Sequence, residues 1–170
     1  PKNNFLKKIR NFCTKNNIIL IFDECTSGFR ETFGGLHLKY NVIPDICILG
    51  KALGNGYAIT ACVGREEFMQ AAQQTFISST FWTERLGPSA ALKTLEVMER
   101  EKSWEKITDM GNSISKRWKI LSEKYELDLT TWGLPALSGF SFNSKHNLAF
   151  KTFITQEMLK QGYLAANSIY

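Results

Sequence analysis

The chain has 170 residues, 44% of them hydrophobic and 22% charged, an ordinary globular composition that suffices for one domain or part of a larger one. Its formal charge of +5 comes from 21 Lys and Arg against 16 Asp and Glu. The basic residues lie scattered, in groups no denser than Lys7-Lys8-Ile9-Arg10 and Lys116-Arg117-Trp118-Lys119, and read as solvated helix faces, so no nucleic-acid partner is expected.

In chain order, Phe5, Leu6, Ile9, Phe12 and Cys13 have helical spacing, and Asn16-Asn17 stops that helix before the next element. Ile18 to Phe22 is an apolar run too short for a buried helix; it reads as a strand of a parallel sheet covered on both faces, with Asp23-Glu24 at its carboxyl end. Ile46 to Leu49 and Ile59 to Val63, bounded by Pro44-Asp45 and by glycines, are the next strands. Glu66 to Gln74 reads as a short helix. Pro88 begins a longer one with Ala91, Leu92, Leu95 and Met98 on one face. Ser103 is placed to cap another, running to about Lys124, with Trp104, Ile107, Met110, Ile114, Trp118 and Leu121 inward. From Leu127 the pattern is strand-like: Ala136 to Phe142 carries a Gly139 suited to a bulge, and Phe153 to Gln161 is a helix stopped by Gly162.

Charged residues interrupt every apolar stretch well short of the roughly 18 residues that cross a bilayer, and no membrane partner is expected. The four cysteines, Cys13, Cys25, Cys47 and Cys62, form no C-x-x-C pair, so neither a zinc site nor a redox dithiol is predicted; Cys47 and Cys62 fit reduced, buried thiols of a cytoplasmic protein. Both ends, Pro1 and the turn-and-strand pattern from Gly162 to Tyr170, read as interruptions of a longer chain.

Ligands of open α/β sheets gather at the carboxyl ends of the strands. There Asp23 ends one strand, and Lys51 follows another 28 residues later in a Gly-rich turn. Such a pair has a use in pyridoxal-phosphate (PLP) chemistry: the lysine amine forms a Schiff base with the cofactor aldehyde, and the carboxylate keeps the pyridine nitrogen protonated. The same lysine can shuttle a proton at the substrate's α-carbon. A nucleotide site is the competing use, but Lys51 is followed by Ala52, Asp45 stands where the first glycine of a phosphate loop belongs, and no G-x-G-x-x-G follows a strand.

Leu20 to Arg30, with its Asp23-Glu24-Cys25-Thr26-Ser27-Gly28-Phe29-Arg30 end, and Pro44-Asp45 through Leu49-Gly50-Lys51-Ala52-Leu53-Gly54-Asn55-Gly56 resemble the hallmark of class III aminotransferases. The Thr26 to Arg30 stretch resembles most the glutamate-1-semialdehyde aminomutase branch. The resemblance runs from about residue 5 to 166. It implies a fold-type I PLP-dependent transferase: the α/β large domain over residues 1–128, a mainly parallel sheet with helices on both faces, and the start of a small α+β domain over 129–170. It further implies pyridoxal 5'-phosphate as cofactor, Lys51 as the Schiff-base lysine and Asp23 at the pyridine nitrogen. Cys25 stands against the ring where the family has Val, and Thr80, of Ser79-Thr80-Phe81, reaches the cofactor phosphate of the partner subunit in a homodimer. The chain departs from the family in having Trp82 to Pro88 where Gly-Asn-Pro is usual, and the resemblance places half the cofactor site outside these residues.

The expected function is amino-group transfer between a small-molecule amine donor and a carbonyl acceptor, with the aminomutase reaction as its near alternative and an inactive binding relative as the alternative from another class. Retention of both Asp23 and Lys51 speaks against the last. No metal ligand is expected. Arg30 is a candidate for a substrate carboxylate, more readily a partner of structural acids. His37 and His146 lack an acidic or hydroxyl partner at telling spacing and read as ordinary surface or loop residues. Trp82, Trp104, Trp118 and Trp132 read as packing groups.

Overall fold

The computed structural model describes residues 1–77, 80–81 and 83–168; Ser79 and Trp82 lie outside the described residues. The chain forms two compact units, Pro1–Trp104 and Glu105–Tyr170.

In the first unit α1 (Phe5–Lys15) leads into β1 (Ile21–Glu24), α2 (His37–Tyr40), β2 (Ile46–Leu49), β3 (Ala61–Gly64), α3 (Glu66–Met69) and α4 (Leu86–Glu101). The apolar run at Ile18 becomes a strand three residues later than its composition suggests. Its partner is the reason: Pro44 has no N–H for a ladder, so pairing begins with Ile21 opposite Ile46 and runs to Glu24 opposite Leu49. The sheet has the order β1-β2-β3; the first pairing is parallel and the second antiparallel. A mainly parallel sheet was the finer expectation, and connection length explains the difference. Residues 25–45 include α2 and allow a crossover, whereas residues 50–60 are a glycine-rich reversal, shorter than the dozen or more residues a crossover needs.

Phe29, Leu53 and Ala91 form the buried centre of this unit, with Leu49, Ala52, Ile59, Leu95 and Met98 packed around them. On α4 the inward positions are Ala91, Leu95 and Met98 as the spacing predicts; Leu92 is exposed. Cys47 is buried, but Cys62, expected to be so, is exposed, because as Ile48's partner on β3 it takes the face opposite to Cys47.

The second unit holds most of α5 (Ser103–Lys124), then β4 (Leu129–Trp132), β5 (Gly139–Phe142) and α6 (Asn147–Lys160). β4 and β5 pair antiparallel, Leu129 opposite Phe142. No bulge forms at Gly139, which pairs in register with Trp132. It is glycine because a Cβ would lie 2.6 Å from that indole ring. Ser103 is the first helical residue rather than a cap, and its buried hydroxyl makes no hydrogen bond among the described residues. The inner face of α5 is rotated from the predicted one: Met110 and Leu121 are exposed and Gly111 is buried. Helix α6 begins six residues before Phe153 and ends as predicted, with Gly162 at φ +85°. Gly162 N–H donates to the Leu159 carbonyl and Tyr163 N–H to that of Met158, each at 2.9 Å. The segment beyond it, expected to run into a strand, pairs Ser168 with Gly139.

Gly111 faces the backbone carbonyl of Pro135, which occupies the place a Cβ would take. Overpacking against backbone costs up to about 3 kcal/mol, while alanine returns about 1 kcal/mol of helix propensity. Gly111→Ala is therefore expected to destabilise by about 2 kcal/mol in urea denaturation. A neutral substitution would mean that α5 does not approach this loop.

Candidate active site

The parallel pair β1 and β2 brings its two carboxyl ends side by side. Asp23 is opposite Ile48 and Glu24 opposite Leu49, so Cys25 and Gly50 are the next pair beyond the ladder, and Lys51 follows. Gly50 permits this approach, since a Cβ there would lie 2.6 Å from Cys25 Sγ. Asp23 is exposed, and its Oδ1 accepts a hydrogen bond from the Cys25 N–H at 3.1 Å, which fixes the carboxylate at the strand end. Three of the four predicted site residues, Asp23, Cys25 and Lys51, thus occupy neighbouring ends of one strand pair. The fourth, Thr80, is exposed in the turn before α4.

Lys51 opens a 3₁₀ turn, Lys51–Leu53, whose last residue is buried in the centre of the unit. Burying such a leucine stabilises by about 1.5–3 kcal/mol, enough to hold the turn in place. The Lys51 backbone has φ +40°. Among the described residues nine non-glycines have positive φ. Five are asparagines, which tolerate it, and Lys102 and Glu126 follow helix ends; Phe29 and Lys51 remain. A strained, exposed lysine contributes nothing to packing, and strain of this kind collects at functional positions. Its side chain is held: Nζ donates to Thr26 Oγ1 at 2.7 Å, so the amine lies over the turn that follows Asp23. Thr26 was not among the predicted residues, since a hydroxyl in a turn carries no specific signal by itself.

On the other face of β1 the structure corrects the reading of His37. It is no surface residue: its side chain is 12% exposed and its Nδ1 lies 2.7 Å from Glu24 Oε1. The partner was missed because it stands 13 residues away and only the α2 connection brings the two together. Glu24, itself buried, also accepts from the backbone N–H groups of Leu36 and His37, binding the start of α2 to the sheet. Cys47 completes a cluster in which the three side chains' potential ligand atoms lie within 4.8 Å of one another. Burial, reinforced by the charges of Glu24 and Asp23, pushes the Cys47 thiol up to about 11, so it is protonated and unreactive at neutral pH. With the Glu24 carboxylate already holding three N–H groups, the cluster is a hydrogen-bonded joint between α2 and the sheet. His146 is exposed beside Phe150. Arg30 Nε donates to the Thr26 carbonyl at 3.3 Å. Trp104 packs at a tilt against Phe33 and Trp118 meets Phe140 edge-on, at 5.3 and 5.0 Å between centroids, as packing groups.

These residues suit pyridoxal phosphate. A nucleophilic amine and an anchored carboxylate stand on adjacent strand ends and are open to solvent, and the glycine before the lysine lets the two turns approach each other closely. No helix of the described residues is long and apolar enough to cross a membrane.

Comparisons with known proteins identify the family. A 3-aminobutyryl-CoA aminotransferase of Cloacimonas acidaminovorans is 34% identical over 157 residues, covering 92% of this chain and 38% of that protein. A glutamate-1-semialdehyde 2,1-aminomutase of Methanococcus maripaludis is 28% identical over 177 residues, covering 100% of this chain and 41% of that protein. The solved FumI protein of Sphingopyxis sp. MTA144, in its PLP internal aldimine form, superposes with a TM-score of 0.90 at 22% identity, covering 97% of this chain and 40% of that one; the fold is accordingly part of a fold-type I PLP-dependent transferase. The chain therefore spans about two fifths of the length of these relatives. The sequence profile described as aminotransferase class-III matches residues 1–168, and with Asp23 and Lys51 in place at the strand ends, this chain belongs to the class-III aminotransferase family.

Proposed function

We propose that this chain is the part of a PLP-dependent aminotransferase that carries the attachment lysine, Lys51, and that the whole protein moves an amino group from a small-molecule amine to a carbonyl acceptor. The observation that carries the proposal is the placement of the strained Lys51, its amine hydrogen-bonded into the turn after Asp23, at the carboxyl ends of two adjacent parallel strands. Pyridoxal phosphate supplies an aldehyde that condenses with amines and a ring that takes up electrons from the substrate carbon. Lys51 would provide the amine for attachment and, when not attached, a group able to take up and return a proton at that carbon. Asp23, held by the Cys25 N–H, has a second carboxylate oxygen to accept from a ring N–H. The half-buried Cys25 offers a polarizable surface for one face of the ring.

Thr80, exposed on its turn, is assigned to the cofactor phosphate of the partner subunit in a homodimer. Residues 1–128 are assigned to the large cofactor-binding domain and 129–170 to the start of the small one. All four cysteines are free, which suits a cytoplasmic protein. Intramolecular amino transfer is a second reading, favoured by the aminomutase that matches 100% of this chain. Conversion of glutamate-1-semialdehyde by the full-length protein without an added amino donor would decide for it. Alone, the 170-residue chain is expected to bind the cofactor weakly and to show no turnover.

The test is covalent. After borohydride reduction of the full-length protein with its cofactor, the added mass is expected on the peptide carrying Lys51. The mass on any other lysine would overturn the assignment.

A further inference from the structure

A side-chain hydrogen bond between described residues joins the turn after β1 to the turn after β2. Thr26, half-buried, accepts from Lys51 Nζ at 2.7 Å. Both ends of this bond rest on fixed backbone. Around Thr26, Gly28 N–H donates to the Glu24 carbonyl at 2.8 Å, Cys25 N–H to Asp23 Oδ1 at 3.1 Å, and Arg30 Nε to Thr26's own carbonyl at 3.3 Å. Around Lys51, the Leu53 and Asn55 N–H groups donate to the carbonyls of Gly50 and Lys51, each at 3.0 Å, and Leu53 is buried.

A lysine amine on four rotatable bonds sweeps a wide volume unless something holds it. A carboxylate in Thr26's place would hold the amine as an ion pair. A hydroxyl adds no charge, accepts from an ammonium and donates to a free amine, so it can keep hold of a lysine that must change protonation state. We infer that Thr26 is the positioning residue for Lys51, keeping its amine beside the Asp23 strand end and ready for attack on an aldehyde. The inference rests on the reading of Lys51 given above.

The bond joins two groups of this chain and can be tested in the full-length apoprotein. Trace acylation with acetic anhydride, read by peptide mass spectrometry, gives the labelling rate of Lys51 relative to Lys39 and Lys93, whose own partners are Glu31 and Glu96. An amine that loses one net hydrogen bond of ordinary strength should label about fivefold faster. Thr26→Val is expected to show that rise at Lys51 alone, and Thr26→Ser to stay within about twofold of the parent. Thr26→Ala repeats the comparison should valine lower the melting temperature. In the full-length apoprotein, Thr26→Val should slow capture of pyridoxal phosphate about fivefold, and serine should restore it. An unchanged Lys51 label in both Val and Ala variants, or a serine variant that behaves like valine, overturns the positioning role while leaving Lys51 as the attachment point. Borohydride-fixed cofactor on another lysine overturns the reading of Lys51 itself, whatever the label shows.

Discussion

Lys51→Gly in the full-length protein is expected to lower turnover by about 10³-fold or more while changing the free energy of unfolding by less than about 1 kcal/mol. The loss follows from the two tasks of one amine, attachment and proton transfer; the second by itself is worth roughly 10²–10⁴ in rate. The small stability change follows from φ +40°. Glycine adopts that angle freely and relieves about 1–2 kcal/mol of left-handed strain. Against this stand the lost bond to Thr26, about 1 kcal/mol at an exposed site, and glycine's extra freedom in the unfolded chain, about 0.5–1 kcal/mol. Lys51→Ala removes the same amine but keeps the strain, and should be about 1 kcal/mol less stable than the glycine variant with the same loss of turnover. Steady-state kinetics and urea denaturation of the three proteins check both halves. A glycine variant retaining a tenth of the parent's turnover would remove Lys51 from the reaction.

The strand ends were legible in the sequence because they are local. An apolar run followed by Asp23, and another followed by a glycine and Lys51, need only short-range periodicity to be seen, and the parallel pairing then aligns them. What was not legible depends on the return path of the chain. Nothing near His37 indicates that residues 25–36 fold it back onto Glu24, and nothing in the apolar run at Ile59 says that the glycine-rich reversal before it makes β3 antiparallel. The rotated face of α5 has a similar origin. Hydrophobic spacing selected Met110 and Leu121, but the Pro135 loop approaches so closely that only the residue without a side chain, Gly111, fits beneath it. Thr26 was passed over because a hydroxyl in a turn has many uses, and its present one became visible only once Lys51 was placed above it.

The largest effect on stability is expected at the opposite end of the same strands. Asp45, 1% exposed, precedes β2. Its Oδ2 accepts from the Leu20 N–H at 2.7 Å, and its Oδ1 lies 2.8 Å from Arg10 Nη1 on α1 and 3.1 Å from Arg65 Nη1 ahead of α3. One carboxylate thus ties the helix before the sheet, the entry to β1 and the exit from β3. Burial pushes its carboxyl up, but the Leu20 N–H, the Arg10 guanidinium beside it and the hydrogen bond from Arg65 together outweigh that, leaving it below its ordinary value of 3.8. Removing one partner of a buried ion pair typically costs about 3–5 kcal/mol. Arg65 is half exposed and can return to water, so Asp45→Asn, which keeps an acceptor for Leu20, is expected to cost about 2 kcal/mol. Asp45→Ala also orphans the Leu20 N–H and should cost about 3 kcal/mol. Because the folded carboxyl titrates below the unfolded one, the chain takes up a proton on unfolding in acid. The contribution of Asp45 is therefore complete above about pH 4 and fades as the pH falls through the lowered folded value. Urea denaturation at pH 7 and at pH 3 should show the parent's advantage over Asp45→Asn large at the first and smaller at the second. An advantage that grows on acidification would mean that the carboxylate is not the charged centre of this joint.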